Sequence, residues 1–272
     1  MRREGGFAVV LMVVFIMGAV LAIITGYSAL MTREAANNLA RNQEAYLSSA
    51  RAKITKWYSE NAATIDASGT SVPTQTQIFD GAVIVPEWNL KAAASMPLLN
   101  GNISYRVIAI WCDNGGTQSS FDAANGTFVP GSAAKYVLVN GLAIETRKTA
   151  QSVSIMNTIA ALLQQRFYTK YMADGGQDLT VNYFRPADPA CNVVGDEIPC
   201  TDQYPWEPAT DMNLDEILGM KANQLVNAWG IPILLCNASA CGANISSPPY
   251  TMLVQSNTPW GTSNTVVATQ PL

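Results

Sequence analysis

The sequence predicts an α+β protein in which a long N-terminal helix packs on an antiparallel-sheet head. One observation is that the 272-residue chain opens with an apolar run and keeps a helical pattern to about residue 65. The other is that short β-branched and aromatic runs, bounded by Gly, Pro and Asn, recur afterwards, as in antiparallel strands. A helix followed by strands occurs on both sides of residue 150, so we expect the head to be duplicated or to carry an inserted, disulfide-bonded subdomain.

The first element is an apolar helix that is long enough to cross a membrane. Phe7–Met31 contains 25 residues and no charged side chain, and a helix of that length spans roughly 38 Å, more than the ~30 Å hydrocarbon core of a bilayer. A signal peptide has an apolar core of only about 7–15 residues. Arg2 and Arg3 precede the run, whereas Arg33 after it is balanced by Glu34. This asymmetry predicts a cytoplasmic N-terminus and an exported remainder.

The helical pattern continues beyond the apolar run. Residues 33–65 contain no Gly or Pro, and apolar residues recur near helical spacing at Leu39, Tyr46, Ala50, Ile54 and Trp57. We expect this helix to end near Asp66, where the sequence DASGTSVPTQTQ has the composition of a loop.

The next segment predicts three strands and a second helix. The predicted strands are GAVIVPEW, ISYRVIAIW and AKYVLVNGLAI, and the intervening DNGGTQSSFDAANGTFVPG is predicted to be a loop. The helix is predicted over RKTAQSVSIMNTIAALLQQRFYTKYMADGG, with an apolar stripe at Val153, Met156, Ile159, Leu163 and Phe167. Gly175 and Gly176 are expected to stop it.

The last third of the chain predicts a short strand, an irregular segment and three further strands. DLTVNYF is the short strand, and the Pro-rich stretch up to about residue 211 is expected to be irregular. The further strands are WGIPILLC, YTMLVQS and NTVVATQPL. The predicted organisation is therefore a head at residues 66–150 and a second helix with a β-rich, disulfide-bonded part at residues 151–272.

The five cysteines predict two local disulfides. Cys191 and Cys200 form one close pair, and Cys236 and Cys241 form another, which in an exported domain favours disulfides. Zinc is the alternative, but structural zinc ligands are usually two to four residues apart within each pair, and eight residues separate the first pair. Cys112 is left over, and we expect a buried free thiol there rather than a longer-range bridge.

The composition argues against nucleic-acid binding and familiar enzyme chemistry. Charged residues are 13% of the chain, the net charge is -4 and there is no histidine, so the basic surface that phosphates require and the usual general base are both missing. The acidic residues of TDMNLDEILGM, which are Asp211, Asp215 and Glu216, fit helix capping better than catalysis. The Asp- and Asn-rich loop at residues 113–126 lacks the EF-hand spacing. We therefore predict no catalytic site, no cofactor and no metal site.

The opening residues resemble those of the type IV pilin and pseudopilin superfamily. The charged leader MRREGG ends in glycine and is followed directly by the apolar helix FAVVLM, and LSSARAKITKWYSENAATI is similar to the helix exit of type IVb minor pilins. The resemblance covers residues 1–65. It implies a leader at 1–6 that a prepilin peptidase removes between Gly6 and Phe7, a filament-core helix at 7–31 and its amphipathic continuation at 32–65.

One position departs from the family pattern. Most pilins have glutamate as the fifth residue of the mature chain, where it is thought to neutralise the free amine of a neighbouring subunit, and here that position is Leu11. An ionised group without a partner in an apolar environment costs at least a few kcal/mol. Subunits that lack this glutamate resemble the large minor pseudopilins of filament tips. The alternative is that Leu11 belongs to an ordinary anchor that is never cleaved.

The resemblance implies a minor pilin-like structural subunit of a type IV pilus or related secretion filament. We expect it at the tip, in assembly priming or adhesion, with other pilin subunits and a surface receptor as partners. The chain would cross the inner membrane once before assembly and would then join an extracellular pilus or a periplasmic pseudopilus. The alternative is a membrane-anchored exported enzyme or binding protein with an uncleaved N-terminal anchor.

Overall fold

The computed structural model describes residues 4–184, 205–210 and 218–271, with side chains described from residue 12 onward in these ranges. Its longest helix, α1, runs over the 62 residues Glu4–Ile65. Short helix α2 (Gln75–Gly81) follows, and the second long helix is α3 (Leu142–Ala173). The strands are β1 (Lys91–Ala94), β2 (Leu98–Asn100), β3 (Ile103–Tyr105), β4 (Val107–Asp113), β5 (Ser120–Asp122), β6 (Thr127–Val129), β7 (Ala134–Asn140), β8 (Glu207–Pro208), β9 (Leu234–Cys236), β10 (Thr251–Asn257) and β11 (Ser263–Thr269).

The predicted α+β class, with a long N-terminal helix on antiparallel sheets, is confirmed. α1 has two environments, because its apolar first part is exposed and its second part is buried in the head. The buried stripe follows helical spacing and consists of Leu47, Ala50, Ile54, Tyr58 and Ala62. Leu39, which the sequence pattern assigned to this stripe, is exposed. The helix ends at Ile65, next to the predicted boundary at Asp66.

The second half of α1 packs on the antiparallel sheet β1-β4-β7, and we call this unit, with α2, the first head. Strand β4 is central and is buried on both faces from Val107 to Cys112. One face contributes Ile108, Ile110 and Cys112 to the core that includes α1. On the other face Trp111 contacts Phe128 of the β5-β6 hairpin, with ring centroids 5.2 Å apart. A central strand covered on both sides has a continuous apolar sequence, as residues 107–112 do. The single strand predicted for ISYRVIAIW is divided at Arg106 into β3 and β4.

Three predictions in the first head need correction. GAVIVPEW is not a strand, because α2 ends at Gly81 and the following loop places Val83 and Trp88 at φ 53° and 50°, which an extended strand does not allow. Strand β1 begins later, at Lys91. The segment predicted as a plain loop at residues 113–131 contains the β5-β6 hairpin. The third predicted run is strand only to Asn140, and its end starts α3.

Helix α3 packs on a second antiparallel sheet, β11-β10-β9-β8, and we call this unit the second head. The predicted stripe is confirmed, since Met156, Ile159, Leu163 and Phe167 are buried and Val153 is partly buried. Strands β10 and β11 are paired over seven residues each, as the sequence pattern predicts. Each head is therefore a helix followed by an antiparallel sheet, and the described core of the second head contains no residue of α1.

Two predictions in the second head need correction. DLTVNYF is a series of turns rather than a strand, because the side chains of Asp178 and Asn182 accept hydrogen bonds from the backbone N–H groups two residues later, at Thr180 and Phe184. WGIPILLC is a strand only at Leu234–Cys236. Before it, Pro232 forms an isolated bridge to Val226. Proline has no N–H group for a regular ladder.

Candidate functional site

The first part of α1 is an apolar helix that lies outside the head. Every side chain described from Met12 to Met31 is exposed, including Phe15 at 78% and Ile23 at 70%. This helix is long and apolar enough to cross a membrane, and none of its most apolar 18-residue window is buried. Large exposed apolar surface marks a membrane or protein contact. The geometry is consistent with a single-pass anchor.

The sequence-predicted N-terminal positions lie within α1, which begins at Glu4. For Gly6, Phe7 and Leu11 the structure describes only the helical backbone, because side chains are described from residue 12 onward. Cys191 and Cys200 also lie outside the described residues, as do Asp211, Asp215 and Glu216. The predictions for these residues therefore stay predictions.

The other three cysteines have the states that the sequence predicted. Cys236 and Cys241 form a disulfide with Cα atoms 6.5 Å apart. The disulfide joins the end of β9 to a 3-10 turn at Ser239–Cys241 and packs in a small apolar cluster with Ala238, Ala243 and Leu253. Cys112 is a free thiol buried in the first core, and burial raises its pKa.

The most unusual chemistry in the described residues is a buried polar cluster where the two heads meet. Arg106, between β3 and β4, is completely buried. Its guanidinium donates to three backbone carbonyls, at 3.1 Å to Ile65, 2.9 Å to Ser95 and 3.1 Å to Thr70. Its Nε is also 3.4 Å from Asp66 Oδ1. The guanidinium thus fixes the end of α1 to the first sheet.

Tyr58 and Glu145 complete this cluster, which we call the junction cluster (Tyr58, Asp66, Arg106, Glu145 and Trp229). The Tyr58 hydroxyl donates to Asp66 Oδ2 and accepts from the Arg106 N–H at 3.1 Å. Glu145, in the first turn of α3, accepts from Trp229 Nε1 at 2.7 Å. The cluster therefore connects α1 and the first sheet to α3 and a loop of the second head.

Further contacts surround the junction cluster. Lys148 Nζ donates to the Ala228 carbonyl at 2.8 Å, and the Ala228 N–H donates to Ser152 Oγ at 3.1 Å. The Trp260 ring stands edge-on to Trp229, and its Nε1 donates to the Asn102 carbonyl at 2.9 Å. The bonds of Ala228 hold its loop on α3 within the second head, and the Trp260 bond attaches the second head to the β2-β3 turn.

Burial perturbs the acidic groups of the junction cluster. Loss of solvation raises the pKa of Asp66 to about 6, although the Tyr58 hydrogen bond and Arg106 oppose this rise. Loss of solvation also raises the pKa of Glu145 to about 7, opposed by the Trp229 hydrogen bond. The pKa of Tyr58 is raised for the same reason, with the Asp66 charge adding to the effect. Tyr58 is therefore a neutral donor at physiological pH.

The sequence predictions did not include the junction cluster. One signal was available, because Arg106 interrupts the otherwise apolar ISYRVIAIW and Glu145 follows the apolar GLAI. A charged residue within a buried strand needs a partner. The partners come from distant parts of the chain, so spacing alone could not name them.

The acidic loop at residues 113–126 uses its carboxylates internally. Asp113 bonds Lys91 and Ser119, and Asp122 bonds the Ala124 N–H and the Asn125 side chain. Across the described residues, no group of three or more His, Cys, Asp and Glu side chains is placed to hold a metal.

Comparisons with known proteins give no relative from which a function could be transferred. No family model, no curated protein and no solved structure matches the chain.

Proposed function

We propose that the chain is a minor pilin-like structural subunit of a type IV pilus or a related secretion filament, placed at the filament tip and acting in assembly priming or adhesion. Its partners are other pilin subunits, which contact the N-terminal helix, and a prepilin peptidase, which removes residues 1–6. Its work is done by surfaces rather than by catalysis.

One observation carries this proposal: a single continuous helix has two environments. The exposed apolar part of α1 and the part buried in the first head belong to the same helix, with no turn between them. A simple membrane anchor needs only about 20 residues and can be joined to its domain by any linker. A rigid helix of 62 residues instead fixes the head relative to the apolar segment, as a helical filament of packed subunits requires.

The outward side of α1 also supports the proposal. Beside the first head, this helix leaves Ser48 and Ala52 exposed and Thr55 half-buried, with Arg51 and Lys56 alongside. Small side chains at i, i+4 and i+7 allow another helix to approach closely. A neighbouring subunit could therefore pack along α1 without disturbing the core that its opposite side forms.

N-terminal sequencing of the chain purified from its host tests the proposal. A mature chain that begins FAVVLM is expected, because the filament pathway requires cleavage between Gly6 and Phe7. The variant Gly6→Val should keep its leader, since glycine offers the peptidase an unobstructed backbone beside the cut. Gly5→Val is the matched control and should still be trimmed. Normal trimming of Gly6→Val would count against a pilin leader at this site.

The rival function, an exported enzyme or binding protein on an uncleaved anchor, gives a different result. The wild-type chain would then retain Arg2 and Arg3 after export. An enzyme would also show saturable turnover in a substrate screen, lost on one point substitution. Under the proposed function, the purified chain shows no such turnover.

A further inference from the structure

Two acidic side chains meet inside the junction cluster. Asp66 closes the end of α1, and Glu145 stands in the first turn of α3. Both are at most 1% exposed. Gly141, one helical turn before Glu145, lies against the Tyr58 hydroxyl that donates to Asp66, so both acids belong to the same buried site, and each raises or lowers the pKa of the other. Oδ1 of Asp66 and Oε1 of Glu145 are buried, and neither accepts a hydrogen bond from the described residues. Two ionised carboxylates could not satisfy each other, because both are acceptors only.

The charges around this pair do not balance if both acids are ionised. Among the described residues, the other titratable or charged groups that face the pair are Tyr58, Arg106 and Lys148. Tyr58 is neutral, and Arg106 is a fully buried cation. Lys148 directs its Nζ to the Ala228 carbonyl. Two carboxylates beside one buried guanidinium would leave a negative charge without a close partner, which costs several kcal/mol in a buried site.

We propose that Asp66 and Glu145 share one proton in mildly acidic solution, and that this proton is part of the bond between the two heads. The proton turns one carboxyl oxygen into a donor and leaves the other as its acceptor. In this proposal the proton supplies a hydrogen bond to the two oxygens that otherwise have none. The remaining negative charge of the pair is balanced by Arg106, so the buried cluster becomes neutral.

The shared proton makes the stability of the junction fall as pH rises toward neutrality. Both carboxyls have a pKa raised above that of an exposed acid. The folded chain therefore binds more protons than the unfolded chain above about pH 4, so its stability falls as pH rises. This contribution is complete below the unfolded pKa values and is lost as pH rises through about 6 to 7. The attachment of the second head to α1 weakens in the same range.

The substitution Glu145→Gln tests the shared proton directly. A glutamine there can accept from Trp229 with its oxygen and donate to Asp66 with its N–H, so it is a neutral imitation of protonated Glu145. We measure the urea midpoint of the full chain in detergent micelles at pH 5 to 8. The wild-type midpoint should fall with pH, and the Glu145→Gln midpoint should fall much less. Glu60→Gln, on the exposed side of α1, is the matched control and should follow the wild type.

Infrared spectroscopy of the folded full chain gives a second measurement that does not depend on the variant's stability. An exposed carboxyl is ionised at pH 6, so a carbonyl band of a buried protonated carboxyl should stand out in the wild type and in the Glu60→Gln control. It should be absent in Glu145→Gln. A wild-type spectrum without this band, or a Glu145→Gln midpoint with the full wild-type pH dependence, would overturn the shared proton.

Discussion

Arg106 shows how a single residue holds the first head together. Its guanidinium is fully buried and satisfies the carbonyls of Ile65, Ser95 and Thr70, while Asp66 supplies the opposite charge. Ile65 and Asp66 lie at the end of α1, Ser95 directly follows β1, and Thr70 lies in the loop before α2. A guanidinium is suited to this task because its five N–H donors are held in a rigid plane.

Removing Arg106 should therefore unfold much of the head. Arg106→Met keeps a long apolar stem but removes the donor to three backbone carbonyls and the cation beside the buried Asp66 carboxyl. We expect a loss of about 3–5 kcal/mol in the free energy of unfolding, measured by urea denaturation. Lys56→Met is the control, because Lys56 forms an exposed pair with Glu60 and such pairs contribute about 0–1 kcal/mol. Equal losses of stability in the two variants would show that Arg106 does not hold the end of α1 to the first sheet.

Gly141 matters for space rather than for backbone freedom. It precedes α3 with ordinary helical angles, φ -67° and ψ -21°. A Cβ atom at this position would lie 2.5 Å from the Tyr58 hydroxyl oxygen and 2.8 Å from the Arg106 carbonyl oxygen. Tyr58 is buried and held by Asp66, so it cannot move aside.

We expect Gly141→Ala to destabilise the chain by about 1–3 kcal/mol, the usual cost of overpacking a close contact. Gly175→Ala is the matched control, because a Cβ there meets no atom within 4 Å. Thermal unfolding of both variants measures the difference. An unchanged melting temperature for Gly141→Ala would mean that the end of α1 and the start of α3 are less tightly packed than described.

At the scale of elements, the Cys236–Cys241 disulfide fastens the turn after β9. The chain-entropy model gives about 2 kcal/mol for closing so short a loop, so the double variant Cys236→Ala/Cys241→Ala should lose about that much stability. Reductant should lower the stability of the wild type by breaking this bridge. The variant has no such bridge to lose. Alkylation of the wild type under denaturing, non-reducing conditions should label Cys112. Labelling of all five cysteines would contradict the bridge.

The elements that sequence predicts well are those with long periodic patterns. The first part of α1 is a long apolar run, its second part and α3 have apolar residues on one side, and β10 and β11 are two strand-like runs. GAVIVPEW resembles a strand because its β-branched residues favour one. In the structure Val83 has a positive φ, because the N–H groups of Val83 and Ile84 bond back to carbonyls of α2 and form a turn. The β5-β6 hairpin was missed because its strands have only three residues each. The junction cluster depends on distant contacts, which no local pattern contains.

At the scale of the whole molecule, the two heads have different roles in the proposed function. The first head is built on α1, so its position follows that of the apolar helix. The second head has its own described core and is attached through the junction cluster and the bond from Trp260 to the Asn102 carbonyl. A unit attached in this way can present a surface to a receptor without taking part in helix packing. Under the proposed function, the second head is where adhesion would occur.

Under the proposed function we expect the chain at the filament tip, because position 11 is leucine. A subunit with leucine at this position cannot neutralise the amine of a neighbouring subunit, so an interior position would leave a charge without a partner in an apolar environment. Immunogold labelling of sheared filaments should therefore show the wild-type chain at one end. Its deletion should reduce filament number or adhesion without changing filament diameter.

The variant Leu11→Glu should restore the missing carboxylate and allow labelling along the shaft, because the amine would then have a partner. Leu11→Gln is the matched control, since it has a similar shape and polarity but no charge, and it should stay at the end. Even labelling of the wild type along the shaft would show that leucine is tolerated in the interior. The tip placement would then be withdrawn, whereas the pilin-like assignment would still depend on the cleavage test at Gly6.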